Sequence, residues 1–224
     1  EAAADIGADA VKFQTFSAEK LVNRSAAKAK YQVGHSKGET QFEMLKHLEL
    51  SVDSHYVLSG LAERLGIEFI STPFDLESLD FLVSDIGVKR IKVSSGDLTN
   101  LPLLHAAGKT GLPIILSTGM GTIDEVNLGL GTVAHGRAVR AGIEVSSPSP
   151  DVFVEITSSM ESTTLLGDVT LLQCTSEYPT PDHGANLLAM QAFADRFQVQ
   201  VGFSDHSLGS HLCLAAVALG AHTV

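Results

Sequence analysis

The sequence has few cysteines, few cationic residues and no long uninterrupted apolar run. Its two cysteines, Cys174 and Cys213, lie in apolar stretches without the spacing of a metal site. We therefore expect buried, reduced thiols, which are typical of a cytoplasmic protein. No apolar run reaches the roughly 18 residues of a transmembrane helix, and the first residues lack the basic region of a secretory signal.

Cationic side chains are outnumbered, because 15 Lys and Arg residues stand against 26 Asp and Glu residues, and the formal net charge is −11. Nucleic acids and anionic membrane surfaces require clustered positive charge, so the composition argues against both as partners. In such an acidic chain, a lysine inside an apolar strand needs a local explanation. The length of 224 residues suffices for one large α/β domain or two small ones.

Six short apolar segments recur along the chain, with helical patterns between them. They are nearly continuous in apolar residues, as expected for parallel strands covered on both faces. The predicted strands are 9–16, 67–74, 90–97, 113–120, 169–178 and 199–207, with a seventh starting at 221. The predicted helices are 39–50, 53–66, 75–87, 100–111, 122–136, 186–197 and 207–220, and residues 1–7 resemble the end of another helix.

The repeated alternation of strand and helix predicts a parallel α/β architecture. A doubly wound sheet usually has five or six strands and one ligand crevice. A (β/α)8 barrel needs about 250 residues and places functional groups at the end of every strand. Seven strands after a helix remnant favour an incomplete (β/α)8 TIM barrel that lacks its first strand and final helix. We expect residues 1–224 to form this single partial domain.

One segment rich in Ser, Thr and Pro, residues 136–168, interrupts the alternation. Long connections often lack regular structure. We therefore expect a mobile surface insertion, with an added hairpin or helix as the alternative. The sequence suggests no function for this segment.

Every predicted strand runs from apolar residues into hydroxyl, lysine or histidine side chains. In a parallel barrel these strand ends meet at one mouth. The polar residues at the strand ends are Lys12, Gln14, Thr72, Lys92, Ser94, Ser95, Ser117, Thr118, Ser176, Glu177, Tyr178, Ser204, Asp205 and His206. Two ammonium groups among many hydroxyls suit an anionic ligand such as a phosphate or a carboxylate.

Each of these residues also has an ordinary structural explanation. A serine or threonine at a strand end is most often a turn residue or a helix cap, and a lysine can extend into solvent. Lys12 and Lys92 are flanked on both sides by apolar residues, which favours an enclosed position. His206 is open to three interpretations, as a metal ligand, a general base or a packing residue.

Taken in order, the strand ends resemble the sialic acid synthase family, which includes N-acetylneuraminate, legionaminate and pseudaminate synthases. The motifs are KFQTF, FISTPFD, IKVSSGD, PIILSTGM, LLQCTSEYPTP and VGFSDHSLG. The resemblance runs from about Asp9 to Val224, apart from 136–168. It implies condensation of phosphoenolpyruvate with an open-chain N-acyl hexosamine, giving a nonulosonic acid and phosphate. The acceptor would be N-acetylmannosamine or a 2,4-diacetamido-trideoxyhexose.

The resemblance also implies roles for residues. Lys12 and Lys92 would be the catalytic residues that hold the carboxylate and phosphate of phosphoenolpyruvate. The substrate-binding residues would be Gln14, Thr72, Ser95, Ser117, Ser176, Tyr178 and Ser204. Tyr178 would contact the amino sugar, and Ser176 replaces an asparagine found in some members, so its phosphate contact is expected to be weaker or water-bridged. His206 would bind a divalent cation, Mn2+ or Mg2+, which polarises the sugar aldehyde.

Other parts of the family pattern are expected outside this sequence. They are a glutamate on the first strand, a second metal-binding histidine and a C-terminal antifreeze-like domain. We therefore expect the 224-residue piece alone to be inactive, and its full-length parent to be a cytoplasmic homodimer.

Two other functions stay open. Lys12 or Lys92 could form a Schiff base, as in lysine aldolases, or the barrel could bind anions without turnover. A condensing enzyme for other sugar acids is a weaker alternative, because CTSEYPTP points to amino-sugar acceptors. Residues 72–82 and 87–102 favour the legionaminate branch slightly.

Overall fold

The computed structural model describes residues 1–28, 40–159 and 161–224. The chain divides into two compact units, Glu1–Lys89 and Arg90–Val224. All strand pairings among the described residues are parallel, which confirms the predicted parallel α/β class. Of the helices in the described ranges, none is both long and apolar enough to pass through a bilayer.

The first unit contains a two-stranded parallel sheet. Its elements are α1 (Ala2–Asp5), β1 (Ala10–Thr15), α2 (Ala18–Leu21), α3 (Gln41–Leu48), α4 (Val52–Leu65), β2 (Glu68–Pro73), α5 (Leu76–Asp80) and a π-helical segment, Phe81–Ile86. The register places Lys12 opposite Ile70 and Gln14 opposite Thr72. Both strands agree with the sequence prediction.

Local sequence signals set the helix ends in this unit. Thr40 and Glu43 cap α3 reciprocally, each side chain bonding the other's backbone N–H. Residue 39, the predicted start of this helix, lies outside the described residues. The Ser51 side chain caps α4, which ends at Gly66 with a φ of 71°, a left-handed conformation that favours glycine.

The second unit contains four parallel strands in the order β3-β4-β5-β6. Its elements are β3 (Ile91–Val93), a 3-10 turn (Ser95–Asp97), α6 (Leu101–Thr110), β4 (Ile114–Ser117), α7 (Ile123–Arg140), α8 (Pro150–Thr157), α9 (Ser162–Leu166), β5 (Val169–Cys174), a 3-10 turn (Asp182–Gly184), α10 (Ala189–Phe197), β6 (Gln200–Ser204) and α11 (His211–Ala218). Phe203 N donates to Thr223 O at 2.9 Å, so the seventh predicted strand starts parallel to β6.

The segment 136–168 contains helices where we expected an insertion without regular structure. Helix α7 continues to Arg140, and α8 begins where the Ser149 side chain accepts from Val152 N. Phe153 of α8 is buried, and its carbonyl lies where a side chain at Gly131 of α7 would be. The alternative of added helices therefore describes this segment, because Ser149 provides a cap and Gly131 a flat packing surface.

Helix α7 is buried along most of its length and contacts α6 through a pair of histidines. The His105 Nε2 and His135 Nδ1 atoms are 3.0 Å apart, and His135 Nε2 lies 2.9 Å from the Ser146 carbonyl oxygen. Because the carbonyl only accepts, His135 Nε2 donates to it, and His135 Nδ1 accepts from His105. Phe153 completes the cluster with its ring centroid 5.2 Å from that of His135.

Candidate functional site

In the second unit, the carboxyl ends of parallel neighbouring strands lie along one edge of the sheet. In the register, Ser117 at the end of β4 is opposite Leu172, and Cys174 at the end of β5 is opposite Ser204. The structure places these predicted site residues on or directly after the ends of β3 to β6: Lys92, Ser95, Ser117, Ser176, Tyr178, Ser204 and His206.

Lys92 is fixed by contacts inside this edge. Its ammonium donates to Ser117 Oγ at 2.7 Å and to the Val93 carbonyl at 2.7 Å. The side chain is partly buried, and Ser117 is fully buried. Lys92 is therefore not a surface lysine extending into solvent. It places a positive charge beside a hydroxyl, as an oxyanion site requires.

Gly119 brings two serines from different strand ends together. Its backbone N–H donates to Ser95 Oγ at 2.9 Å. A β-carbon at Gly119 would lie 2.6 Å from Ser176 Oγ and 2.9 Å from Ser95 Oγ, so both hydroxyls converge on the space that glycine leaves open. The sequence analysis did not identify this role of Gly119. The available signal was a glycine directly following the hydroxyl pair Ser117 and Thr118.

His206 is oriented by a backbone carbonyl and covered by an aromatic ring. Its Nδ1 lies 2.7 Å from the Thr175 carbonyl oxygen, so Nδ1 carries a proton and donates to it. Its Nε2 lies 2.9 Å from the Tyr178 hydroxyl, and the two rings stack with centroids 4.0 Å apart. Thr180 N donates to the His206 carbonyl at 2.9 Å and joins the two loops.

Cys174 is part of the same environment. Its sulfur lies 4.0 Å from His206 Nδ1. The Cys174 thiol and the Thr175 carbonyl raise the pKa of His206, against the opposing effect of burial. Burial alone would raise the pKa of Cys174, but hydrogen bonds with His206, Ser95 and Ser204 lower it. Cys174 is buried and makes no disulfide, as predicted, whereas Cys213 is only partly buried, which corrects the prediction that both thiols are buried. The polar surroundings of Cys174 were not predicted.

In the first unit, the predicted site residues Lys12, Gln14 and Thr72 share one face of the β1–β2 sheet. Lys12 and Gln14 are two residues apart on a strand, and Thr72 is opposite Gln14 in the register. Desolvation lowers the pKa of Lys12 although its side chain is exposed. The Lys12 side chain therefore contacts water and still loses part of its hydration to neighbouring atoms.

The opposite face of this sheet holds a buried polar network that the sequence did not reveal. The Thr15 hydroxyl lies 2.8 Å from His55 Nε2 and 2.7 Å from Ser71 Oγ. His55 Nδ1 donates to the Ser51 carbonyl at 2.8 Å, which leaves Nε2 to accept from Thr15. His55 is 1% exposed. The network joins both strands to α4 and is a structural element rather than part of the candidate site.

The predicted cation site is only partly present. His206 has the orientation of a metal-binding imidazole, with one nitrogen bonded to a carbonyl. The ranges that the structure describes contain no group of three His, Cys, Asp or Glu side chains able to hold an ion. A divalent cation needs several ligands, so these residues alone do not fit one.

The fixed ammonium and the converging hydroxyls define what this edge can do chemically. Lys92 supplies charge, while Ser95, Ser117 and Ser176 supply donors of adjustable direction. Such a set can bind a phosphate or a carboxylate and stabilise negative charge that develops during a reaction.

Comparison with known proteins shows a matching family model and similar curated proteins. A family model described as the NeuB family matches residues 1–224. The chain is 45% identical over 221 residues to an N,N'-diacetyllegionaminic acid synthase of Legionella pneumophila, covering 98% of this chain and 55% of that protein. It is 42% identical to an N,N'-diacetyllegionaminic acid synthase of Campylobacter jejuni, covering 99% of this chain and 58% of that protein. The chain spans about half the length of these curated relatives.

Solved structures of related proteins are similar to this chain in fold. An N-acetylneuraminic acid synthetase of Leptospira borgpetersenii, solved with citrate, has a TM-score of 0.74 and 28% identity, covering 99% of this chain and 62% of that one. A phospho-2-dehydro-3-deoxyheptonate aldolase of Thermotoga maritima has a TM-score of 0.61 at 17% identity, covering 99% of this chain and 51% of that one. This second similarity concerns the fold alone.

Proposed function

Because the chain belongs to the NeuB family, we propose that its strand-end site binds phosphoenolpyruvate for condensation with an N-acyl hexosamine, giving a nonulosonic acid and phosphate. The observation that carries this proposal is the fixed Lys92 ammonium beside Ser117, with Ser95 and Ser176 converging on Gly119. A doubly anionic three-carbon donor needs this combination of one local positive charge and several neutral donors.

In the proposed reaction, C3 of phosphoenolpyruvate attacks the aldehyde carbon of the open-chain sugar and forms the new carbon–carbon bond. Water then adds to C2, and the C2–O bond to phosphate breaks, leaving a 2-keto acid and inorganic phosphate. Lys92 and the serines hold the donor's anionic groups in place and stabilise the charge on the departing phosphate. Tyr178 contacts the amino sugar at the exposed rim of the site.

The acceptor that we favour is a 2,4-diacetamido-trideoxyhexose, the sugar that leads to a legionaminic acid. Support comes from two relatives described as N,N'-diacetyllegionaminic acid synthases, both above 40% identity. N-acetylmannosamine is the second acceptor to test.

A divalent cation, Mn2+ or Mg2+, is part of the proposal, and it would act as a Lewis acid toward the sugar aldehyde. Among the described residues, His206 is the donor that we assign to it. The remaining ligands, the homodimer and the single barrel domain stay predictions. So do the roles of Lys12, Gln14 and Thr72.

The two alternative functions make different predictions. Lys92 Nζ is held by Ser117 Oγ and the Val93 carbonyl. Anion binding requires this amine to keep its proton, whereas a Schiff-base nucleophile must lose it. Borohydride trapping in the presence of substrate should leave no covalent adduct on the protein. An adduct at Lys92 or Lys12 would replace the proposal with an aldolase.

Phosphate release tests the proposed function directly. The full-length protein carrying this sequence should release phosphate from phosphoenolpyruvate only when an acceptor sugar is present, and faster with the diacetamido sugar than with N-acetylmannosamine. A chelator should abolish release, and added Mn2+ or Mg2+ should restore it. Binding of phosphoenolpyruvate without release under any of these conditions would instead support the non-catalytic anion-binding barrel. The 224-residue chain alone should release none.

A further inference from the structure

The loop after β4 contains a β-turn with a methionine at a position where glycine is usual. Gly121 N donates to the Thr118 carbonyl at 3.0 Å, which closes a turn over residues 118–121. Met120 is the third residue of this turn, and its φ is 65°. A positive φ at this position favours glycine or asparagine, because a β-carbon there crowds the backbone. Met120 therefore holds a conformation that its own side chain makes less favourable.

The two glycines beside Met120 are both required by their surroundings. A β-carbon at Gly119 would crowd the Ser176 hydroxyl, and one at Gly121 would collide with the Leu98 side chain. The turn is thus fixed on both sides, and strain at residue 120 persists because the surrounding structure holds it. A third glycine would fit this turn with less strain, so the fold alone does not explain the methionine.

The Met120 side chain contributes little to packing, because it is 78% exposed. Exposure of one apolar side chain is ordinary on a protein surface. Here it coincides with a strained backbone and with the proposed anion site, since Ser117, three residues earlier, accepts from Lys92 Nζ at 2.7 Å. Strained residues cluster at ligand sites. The loop therefore keeps an apolar side chain in solvent beside the groups that would hold the anion.

The chemistry of the two proposed substrates decides which of them this side chain would contact. Phosphoenolpyruvate is small and doubly anionic, so it is held by Lys92 and by hydroxyls. The acceptor must reach this donor from solvent, and Met120 is exposed beside the residues that bind the donor. A 2,4-diacetamido-trideoxyhexose carries an acetamido group and a deoxygenated carbon where N-acetylmannosamine carries hydroxyls. It therefore presents more apolar surface than N-acetylmannosamine does.

We propose that Met120 is a specificity-determining residue, an apolar contact that favours the diacetamido sugar over N-acetylmannosamine. A thioether side chain is flexible and polarisable, which suits contact with the methyl groups of a sugar. One methyl group more or less in an apolar contact changes selectivity roughly tenfold. The identity of the acceptor rests on the proposed function, whereas the strain and exposure of Met120 are properties of the fold.

Phosphate release by variants of the full-length protein tests the contact. Met120→Gly removes the side chain together with the strain. It should lower kcat/KM for the diacetamido sugar roughly tenfold, and that for N-acetylmannosamine at most about twofold. Its melting temperature should stay unchanged or rise by up to about 3 °C. Met120→Leu keeps an apolar side chain and should retain the wild-type selectivity within about threefold.

Gln198→Gly is the matched control, because it removes another side chain at a positive φ, 54°, in the connection before β6 at the opposite edge of the sheet. It should leave kcat/KM for both sugars unchanged. Equal losses for the two sugars in Met120→Gly overturn the role in specificity. A lower melting temperature in Met120→Gly shows that the side chain supports the fold, and this result also overturns the proposal.

A second measurement reads acceptor binding without turnover. Methionine methyl groups labelled with 13C give separate signals, and the Met120 signal is identified by its absence in Met120→Leu. Saturating diacetamido sugar, added to the full-length protein with and without phosphoenolpyruvate, should shift the Met120 signal. Met190 of α10, which is 1% exposed, is the internal control and should not shift.

The two measurements distinguish failure of this proposal from failure of the proposed function. A Met120 signal that does not shift under either condition overturns the contact, even where the protein releases phosphate. A shifted signal in a protein that releases no phosphate refutes the condensation and leaves the contact standing.

Discussion

The polar strand ends of the two units carry the same sequence signal but differ in how their side chains are held. In the second unit, Lys92 is bonded to Ser117, and Ser95 is bonded to Gly119. In the first unit, no hydrogen bond or ion pair joins the side chain of Lys12 or Gln14 to another described residue. The bonded hydroxyls there, Thr15 and Ser71, lie on the opposite face with His55. A lysine flanked by apolar residues in the sequence therefore indicates a position on a strand. It does not indicate whether hydrogen bonds hold the ammonium group in place.

The largest effect should come from the preorganised lysine. We expect Lys92→Met to weaken phosphoenolpyruvate binding roughly 100-fold, as loss of a charge-assisted contact does. Lys109→Met, at an exposed lysine of α6, is the matched control and should leave binding unchanged. Isothermal titration of the chain measures both.

The same titration tests whether the first unit contributes to binding. Lys12→Met should weaken binding by a comparable factor if Lys12 holds the same anion. Unaltered affinity in Lys12→Met would remove Lys12 from the predicted anion-binding residues.

A smaller effect is expected from the glycine that joins the serines. Gly119→Ala should lower phosphoenolpyruvate affinity about tenfold, or about 1.4 kcal/mol, because the methyl group would displace Ser176 and Ser95. Gly60→Ala in α4 is the control, since the nearest neighbour of its β-carbon would be 3.7 Å away. Equal affinity in both variants would show that the serines do not need this close approach.

Stability distinguishes the two faces of the first unit. Thr15→Val should destabilise the chain by about 1–3 kcal/mol, because it leaves His55 Nε2 and Ser71 Oγ buried without their partner. Gln14→Leu, on the other face, should change stability by no more than about 0.5 kcal/mol. Urea denaturation measures both, and equal losses would contradict the division into a structural face and a candidate binding face.

The smallest expected effect is a pH dependence from the second unit. Burial, followed by the charges of His135 and Lys109, lowers the pKa of His105. The folded state therefore binds fewer protons than the unfolded state. The contribution of neutral His105 to stability is fully present above the pKa of this residue in the unfolded state, near 6.5. It is lost as the pH falls through the lower pKa of His105 in the folded state. His105→Gln should flatten this dependence in urea denaturation at several pH values, and an unchanged slope would count against it.

The strands were predictable, whereas many contacts of the candidate site were not. Continuous apolar segments ending in hydroxyls located Lys92, Ser117 and His206 correctly at strand ends, because this periodicity is a property of the sequence itself. The Gly119 contacts and the Tyr178–His206 pair join different loops. They depend on register and backbone path, which a one-dimensional pattern does not contain.

The error at residues 136–168 has a related cause. A composition rich in Ser, Thr and Pro predicts loops, but Ser149 and Pro150 start α8 as a cap and a first-turn residue. Packing against Gly131 then stabilises a helix whose intrinsic propensity is modest.

Helix α7 meets other backbones on more than one side, since a side chain at Gly131 would collide with Phe153 of α8, and one at Gly136 with the His105 carbonyl of α6. Every residue from Gly129 to Ala138 is buried, so this part of the helix has no outward surface on which substitutions accumulate harmlessly. Shortening the 141–168 segment would remove α8 and expose buried residues of α7 that it packs against, so the change would not be limited to a loop. An engineer seeking a minimal version of this chain should therefore cut elsewhere.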